Sequence, residues 1–177
     1  MVLIVDFVTE LLSILTLIGD VLLIFLIYRI VIKKDFKNNF LNKNTLLFAF
    51  VIALIATLGS LFYSEIAGYI PCKLCWYQRI FMYPLPILLG IALFKKDNKI
   101  SSYAIPLSII GGIISIYHYS TQILNNSAIC SAESVTCASK IFFSYGYITI
   151  PIMALTAFAL IIFLTYNAKN NYKEVKK

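Results

Sequence analysis

Charge is what this sequence has least of. Of its 177 residues, 13% are Asp, Glu, Lys or Arg, about half the share usual for a soluble domain. The shortage is uneven, and it leaves uncharged stretches near the ~20 residues that a bilayer-crossing helix requires. What remains between those stretches is too short for a soluble domain of any size. A basic segment ahead of the first apolar run is missing too; Asp6 and Glu10 stand there instead. With no small-residue cleavage site after that run, the expectation is a retained anchor and not a cleavable signal. Histidine and tryptophan occur once each, and cysteine four times, never inside an apolar run.

Apolar residues make up 60% of the chain, and the mean hydropathy is +0.87. Five spans are predicted, at 11–32, 45–63, 76–94, 103–124 and 146–166. In lipid a helix satisfies its own backbone polar groups, so these runs are expected to be helices. The fold class is therefore an all-α membrane bundle. Its expected organisation is an N-terminal helix and basic loop over 1–44, a four-helix body over 45–166 and a basic tail over 167–177.

The net charge of +7 comes from position more than from any acidic partner. Arg29, Lys33, Lys34, Lys37 and Lys43 lie between or at the ends of the first two spans, Lys95, Lys96 and Lys99 lie between the third and fourth, and Lys169, Lys173, Lys176 and Lys177 form the tail. Those regions lie on one side and hold twelve of the fifteen basic residues. By the positive-inside rule that side is cytoplasmic, placing the N-terminus outside and the C-terminus inside. Asp20, near the middle of the first span, is costly in lipid and is expected to face protein or water. Helix–helix hydrogen bonding is its expected role, with a proton-relay or substrate role as the alternative.

All four cysteines fall in the two outside loops. Cys72 and Cys75 close the loop before the third span, and Cys130 and Cys137 sit in "NNSAICSAESVTCASK" before the fifth. Two pairs in an oxidising compartment point to disulfides. Structural staples are the plainest reading. Zinc is an alternative for the first pair, but the six residues inside the second suit it less well.

A redox-active pair explains "PCKLCWYQRI" better. Pro71 favours a helix start, which puts Cys72 and Cys75 in a first turn. The positive end of the helix stabilises a thiolate there, and the thiolate is the attacking species in thiol–disulfide exchange. Arg79, at i+4 from Cys75, shares its face and is read as catalytic or cofactor-polarising; the plainer alternative is snorkelling to headgroups. Trp76, Tyr77 and Tyr83 are read as interface aromatics. His118 in "SIYHYSTQ", with Gln122 one turn on, lies by topology at the depth of Cys75 and Arg79. Proton handling or ligand binding and simple packing are both open for it. Gly111 and Gly112 permit close helix approach, while Pro84, Pro86, Pro106 and Pro151 are expected to interrupt spans.

The order "CKLCWYQR", "YHYSTQ", a looser cysteine pair and "GYITIPIMAL" resembles the disulfide bond formation protein B family, DsbB, and in particular its BdbC-like branch. The resemblance covers about 45–166. It implies a four-helix membrane bundle holding a quinone, ubiquinone or menaquinone, near the CxxC. It also implies a thioredoxin-like (DsbA-like) thiol oxidase as the partner. Carried across, Cys130 and Cys137 form the shuttle disulfide, with Cys130 making the mixed disulfide with the partner. Electrons then pass by exchange with Cys72, and Cys75 faces the quinone as a thiolate. Arg79, His118 and Gln122 match residues that line or polarise the quinone site. No metal is implied. The first span is additional to the family's usual four, and it could anchor a partner, stabilise the bundle or shield the quinone opening. Residues 138–145 are expected to lie along the interface.

Three other readings compete. A vitamin K epoxide reductase-like enzyme also pairs a quinone with two cysteine pairs, but there the loop pair precedes the CxxC. An outward electron conduit needs redox groups on the inside, where no cysteine is expected. A scaffold with static disulfides predicts indifference to quinone.

Overall fold

The computed structural model describes residues 2–33, 39–95, 99, 102–124 and 144–175. It is helical almost throughout. Helix α1 is Val2–Lys33, α2 is Asn39–Leu61, α3 is Lys73–Met82, α4 is Pro84–Lys95, α5 is Ala104–Leu124 and α6 is Ile150–Val175. Among the described residues no strand forms, only an isolated bridge between Ser144 and Ile148. The fold is a DsbB-type membrane bundle of four spans, α2, α3 with α4, α5 and α6, preceded by α1.

Among the described residues four helical stretches are long and apolar enough to cross a membrane: Leu3–Tyr28, Asn44–Ile66, Lys73–Lys95 and Ile150–Ala168. Helix α5 is as long as a span, but its inward face carries Ser108, Ser115, His118, Thr121 and Gln122, all buried. A polar stripe that faces protein is the form an intramembrane site takes.

Several boundaries differ from the expectation for physical reasons. Helix α1 starts at Val2 instead of residue 11, because Asp6 and Glu10 are exposed on a helix that continues past the apolar run. At its far end the chain stays helical to Val175, well into the expected tail; Pro151 is its last proline and Gly146 its last glycine. The fifth span begins at Ile150 and not at 146, since Tyr145 and Gly146 hold φ of 52° and 82° in a turn. Only one proline divides a span. Pro84 opens α4 after Tyr83, splitting the third span into two helices, whereas Pro86, Pro106 and Pro151 sit in first turns. A first-turn residue has no intrahelical partner for its N–H, so proline costs little there.

The core is built around α6. Phe158 and Ile161 are fully buried, and they pack with Ala49 and Ala53 of α2, Leu85 and Leu89 of α4 and Ala104 of α5. Gly111 explains the close α5–α6 approach: a Cβ there would stand 2.2 Å from the Phe158 ring. The bundle's outer surface is apolar, with Phe94 91% and Ile113 61% exposed, as lipid contact requires.

Candidate functional site

At the C-terminal end of α2 the chain widens into a single π-turn over Phe62–Ile66. Gly68, with φ of +70°, turns it back. The Tyr69 N–H bonds to the Tyr63 carbonyl at 2.9 Å, and the two rings stack 5.8 Å apart. This reversal delivers Pro71 and Cys72 to the start of α3.

Cys72 is the N-cap of α3, one position outside the first turn in which the sequence placed it. Its Sγ accepts a hydrogen bond from the Cys75 N–H at 3.4 Å, and the two sulfurs are 3.0 Å apart. Both are free thiols. Cys72 is 5% exposed, buried against Leu74, Cys75 and Ile114.

His118 joins α5 to this pair. Its Nε2 lies 3.7 Å from Cys72 Sγ, and its Nδ1 lies 3.4 Å from the amide nitrogen of Gln78. With an amide N–H facing Nδ1, the ring proton sits on Nε2 and points at Cys72. The Cys72 thiol is held far below the ordinary thiol range, at about 4. The hydrogen bond from Cys75 is the largest cause; burial opposes it, and His118 assists it.

Arg79 stands one turn beyond Cys75. Its Nε donates to Ser60 Oγ at 3.1 Å and its Nη2 to the Ser60 carbonyl at 3.2 Å. The guanidinium also lies 5.4 Å from the centroid of Trp76, so Trp76 does more than mark the interface. Two hydrogen bonds in a fixed fork and a cation–π contact hold Arg79 in the protein instead of letting it reach for headgroups.

These groups meet on the lining of one cavity of about 320 Å³, to which Cys72, Cys75, Gln78, Arg79, His118 and Gln122 contribute. The rest of the lining is mainly apolar, from α1, α2 and α6. The hydroxyl of Thr149, also on the lining, is buried and has no hydrogen-bond partner among the described residues. A mainly apolar cavity whose lining includes an orphaned hydroxyl, a guanidinium and a histidine fits a flat apolar molecule bearing carbonyl oxygens, as a quinone does.

Of the seven site residues expected from sequence, five lie together here: Cys72, Cys75, Arg79, His118 and Gln122. Cys130 and Cys137, and nearly all of 138–145, lie outside the described residues. Three contributors had been passed over. Gln78 was visible inside "CKLCWYQR" but carries no motif of its own. Ser60 and Thr149 are ordinary hydroxyls that only the fold brings to the site. A metal is a further possibility for Cys72, Cys75 and His118, whose donor atoms lie within 4.8 Å of one another. However, two thiolates on one tetrahedral zinc stand ~3.8 Å apart, from Zn–S bonds of ~2.3 Å. The 3.0 Å sulfur separation is too short for that and suits a dithiol near disulfide formation.

Comparison with known proteins agrees with this geometry. The family model described as "Disulfide bond formation protein DsbB" matches residues 42–168. Disulfide bond formation protein C of Bacillus subtilis is 50% identical over 125 residues, 68% of this chain and 91% of that protein. A probable disulfide formation protein C of Bacillus cereus is 48% identical over 118 residues, 66% of this chain and 85% of the relative. A probable disulfide formation protein of Chlamydia caviae is 41% identical over 122 residues, covering 69% and 89%. No solved structure gives a significant match. A paired thiol at a helix start, an arginine and a histidine around one intramembrane cavity, and these relatives together place the chain in the DsbB family of disulfide bond formation proteins.

Proposed function

We propose that this protein is a membrane thiol–quinone oxidoreductase. It reoxidises a thioredoxin-like thiol oxidase outside the cytoplasm and so supports disulfide bond formation. The observation that carries the reading is the Cys72–Cys75 dithiol on the lining of a largely apolar cavity, beside Arg79 and His118. The charge pattern supports a body with both cysteine loops outside and the C-terminus inside, preceded by an N-terminal helix that starts outside.

The partner's dithiol reduces the Cys130–Cys137 disulfide through a mixed disulfide at Cys130, and the partner leaves oxidised. The reduced loop pair then attacks the Cys72–Cys75 disulfide at Cys72, which releases Cys75 as the leaving thiolate. Attack by the second loop thiolate re-forms Cys130–Cys137 and releases Cys72. Two electrons now reside on Cys72 and Cys75 as the dithiol. When bound on this lining, a quinone (ubiquinone or menaquinone) would supply a two-electron, two-proton sink for that dithiol. His118 Nε2–H and the Cys75 thiol hold Cys72 as a thiolate in the reduced state, so in this reading the resting thiolate is Cys72, where the resemblance implies Cys75. Arg79, fixed on Ser60, places a permanent positive charge beside Cys75. Gln122 and Thr149 add polar groups to the lining of the cavity.

Purified protein supplied with a reduced thioredoxin-like partner should reduce ubiquinone-1 or a menaquinone analogue, read by the loss of quinone absorbance. Cys75→Ser and Cys130→Ser should each lower turnover to background. A wild type with intact disulfides that reduces neither quinone, even with a generic dithiol donor, would overturn the reading and leave the cysteines as staples.

A further inference from the structure

Helix α1 lies outside the region that the family model matches, which starts at residue 42. Nevertheless it builds one side of the cavity. Leu12, Leu15, Thr16, Ile18, Gly19 and Leu22 of α1 line it. Leu15 and Ile18 are also 41% and 52% exposed, as is Ile55 of α2 at 39%. Residues that line a cavity and also face the surroundings mark its edge, so the lipid-side mouth runs between α1 and α2.

Two sets of contacts fix α1 there. Asp20 accepts from the Thr156 hydroxyl at 2.6 Å and from the Tyr147 hydroxyl at 2.9 Å, one on each carboxyl oxygen. Gly19, beside it, brings the α1 backbone against α6; a Cβ there would stand 3.0 Å from Thr156 Cγ2 and 3.2 Å from Leu160 Cδ1. Nearer the outer end, the Tyr63 hydroxyl donates to Thr9 at 3.3 Å. Helices in lipid have no hydrophobic drive to associate, so packing and interhelical hydrogen bonds decide where they sit. If α1 drifted from α6, Asp20 would be left in hydrocarbon, which is strongly unfavourable. The carboxylate therefore acts as a pin.

We propose that α1 is the lipid-side wall of the cavity, and that Asp20 is a positioning residue setting the width of the mouth through which a bilayer-soluble quinone reaches the dithiol. The quinone in that statement rests on the function proposed above; the wall does not. The contacts also select among the roles open to the extra helix: it narrows an opening to lipid.

The test uses the full chain in nanodiscs, with Asp20→Leu, Asp20→Asn and Gly19→Leu. Asp20→Leu removes the pin, Gly19→Leu forces α1 away with the pin intact, and Asp20→Asn keeps a carbonyl acceptor. One measurement does not involve quinone: the alkylation rate of reduced Cys72 and Cys75 by a maleimide on a long alkyl chain, with Cys130→Ser and Cys137→Ser as background. It should rise several-fold in Asp20→Leu and Gly19→Leu and much less in Asp20→Asn. In chains with all four cysteines, the KM for quinone should shift several-fold, while the KM for the dithiol donor stays near wild type. Unchanged alkylation in both Asp20→Leu and Gly19→Leu overturns the wall. A quinone KM that does not move while alkylation rises overturns the mouth as the quinone's route. Faster alkylation alongside a wild type that reduces no quinone supports the wall and overturns only the proposed function.

Discussion

Cys72 and Cys75 are unlike thiols because one caps the helix and the other belongs to it. Cys72 Sγ receives the Cys75 N–H, the Cys75 thiol and His118 Nε2, and its acidity moves down to about 4, with the Cys75 hydrogen bond the largest cause. An ordinary thiol loses reactivity about tenfold for each unit of pH below its pKa of ~8.5. Iodoacetamide labelling of reduced Cys72 should therefore stay nearly flat from pH 8 to pH 5, and fall only on approach to about 4. Because the folded value lies below the ordinary one, the ionised thiol stabilises the reduced fold above the ordinary thiol range. That contribution is lost as pH falls toward about 4. Stabilising the reduced form also makes the pair more oxidising. His118→Ala removes one donor to the thiolate, so the Cys72–Cys75 potential should drop. A hydrogen bond to a charged group is worth ~1.5–3 kcal/mol, which converts to roughly 30–60 mV; equilibration with a glutathione series reads it. Arg79→Lys keeps the charge but cannot make both bonds to Ser60, so quinone turnover should fall about tenfold, the equivalent of ~1.4 kcal/mol. Cys72, Cys75 and Arg79 could be read from one decapeptide because their spacing alone sets their common face. Ser60 and Gln78 could not, since a serine or glutamine acquires meaning only from what folds against it.

At the level of elements, the apolar runs announce the helices but not their interruptions. The third span looks continuous, and the structure divides it at Tyr83–Pro84; three other prolines, equally visible, fall in first turns and interrupt nothing. Proline reports a missing N–H, and only its place in a helix decides whether that matters. Glycine poses the same problem. Gly111 and Gly112 look interchangeable in sequence, yet a Cβ at 111 would enter the Phe158 ring, whereas at 112 its nearest neighbour is Phe158 Cβ at 3.8 Å. Gly111→Ala should therefore destabilise the bundle by ~1–3 kcal/mol, the usual range for overpacking a filled core. Gly112→Ala should be neutral or slightly stabilising, since alanine is the better helix former. Denaturation in mixed detergent micelles would separate the two, and equal losses would contradict the α5–α6 contact described here.

The whole molecule joins a family body to one further helix, and the charge pattern assigns each a separate source of orientation. Within the body, Lys95, Lys96 and Lys99 lie between the third and fourth spans, and Lys169, Lys173, Lys176 and Lys177 follow the fifth. Lys33 at the end of α1, Lys34 and Lys37 between α1 and α2, and Lys43 early in α2 add to the same charge bias. Removing 1–38 thus takes away α1 and three of those four lysines but leaves Lys43 and the seven lysines of the body, eight in all, to hold the body in place. Positive charge close to span ends, more than the identity of the first helix, fixes a multi-span topology of this kind. On the orientation proposed above, the truncated chain should insert with both cysteine loops outside and its new N-terminus inside. A membrane-impermeant maleimide applied to intact cells after reduction reads the outcome, with Cys72→Ser and Cys75→Ser present so that Cys130 and Cys137 alone report. Labelling equal to that of the full-length chain means that the body orients itself and that α1 is an addition at the cavity's edge. Labelling only after lysis means that the body has inverted, that α1 sets the topology, and that the relay outside the membrane depends on the first helix as well as on the cysteines.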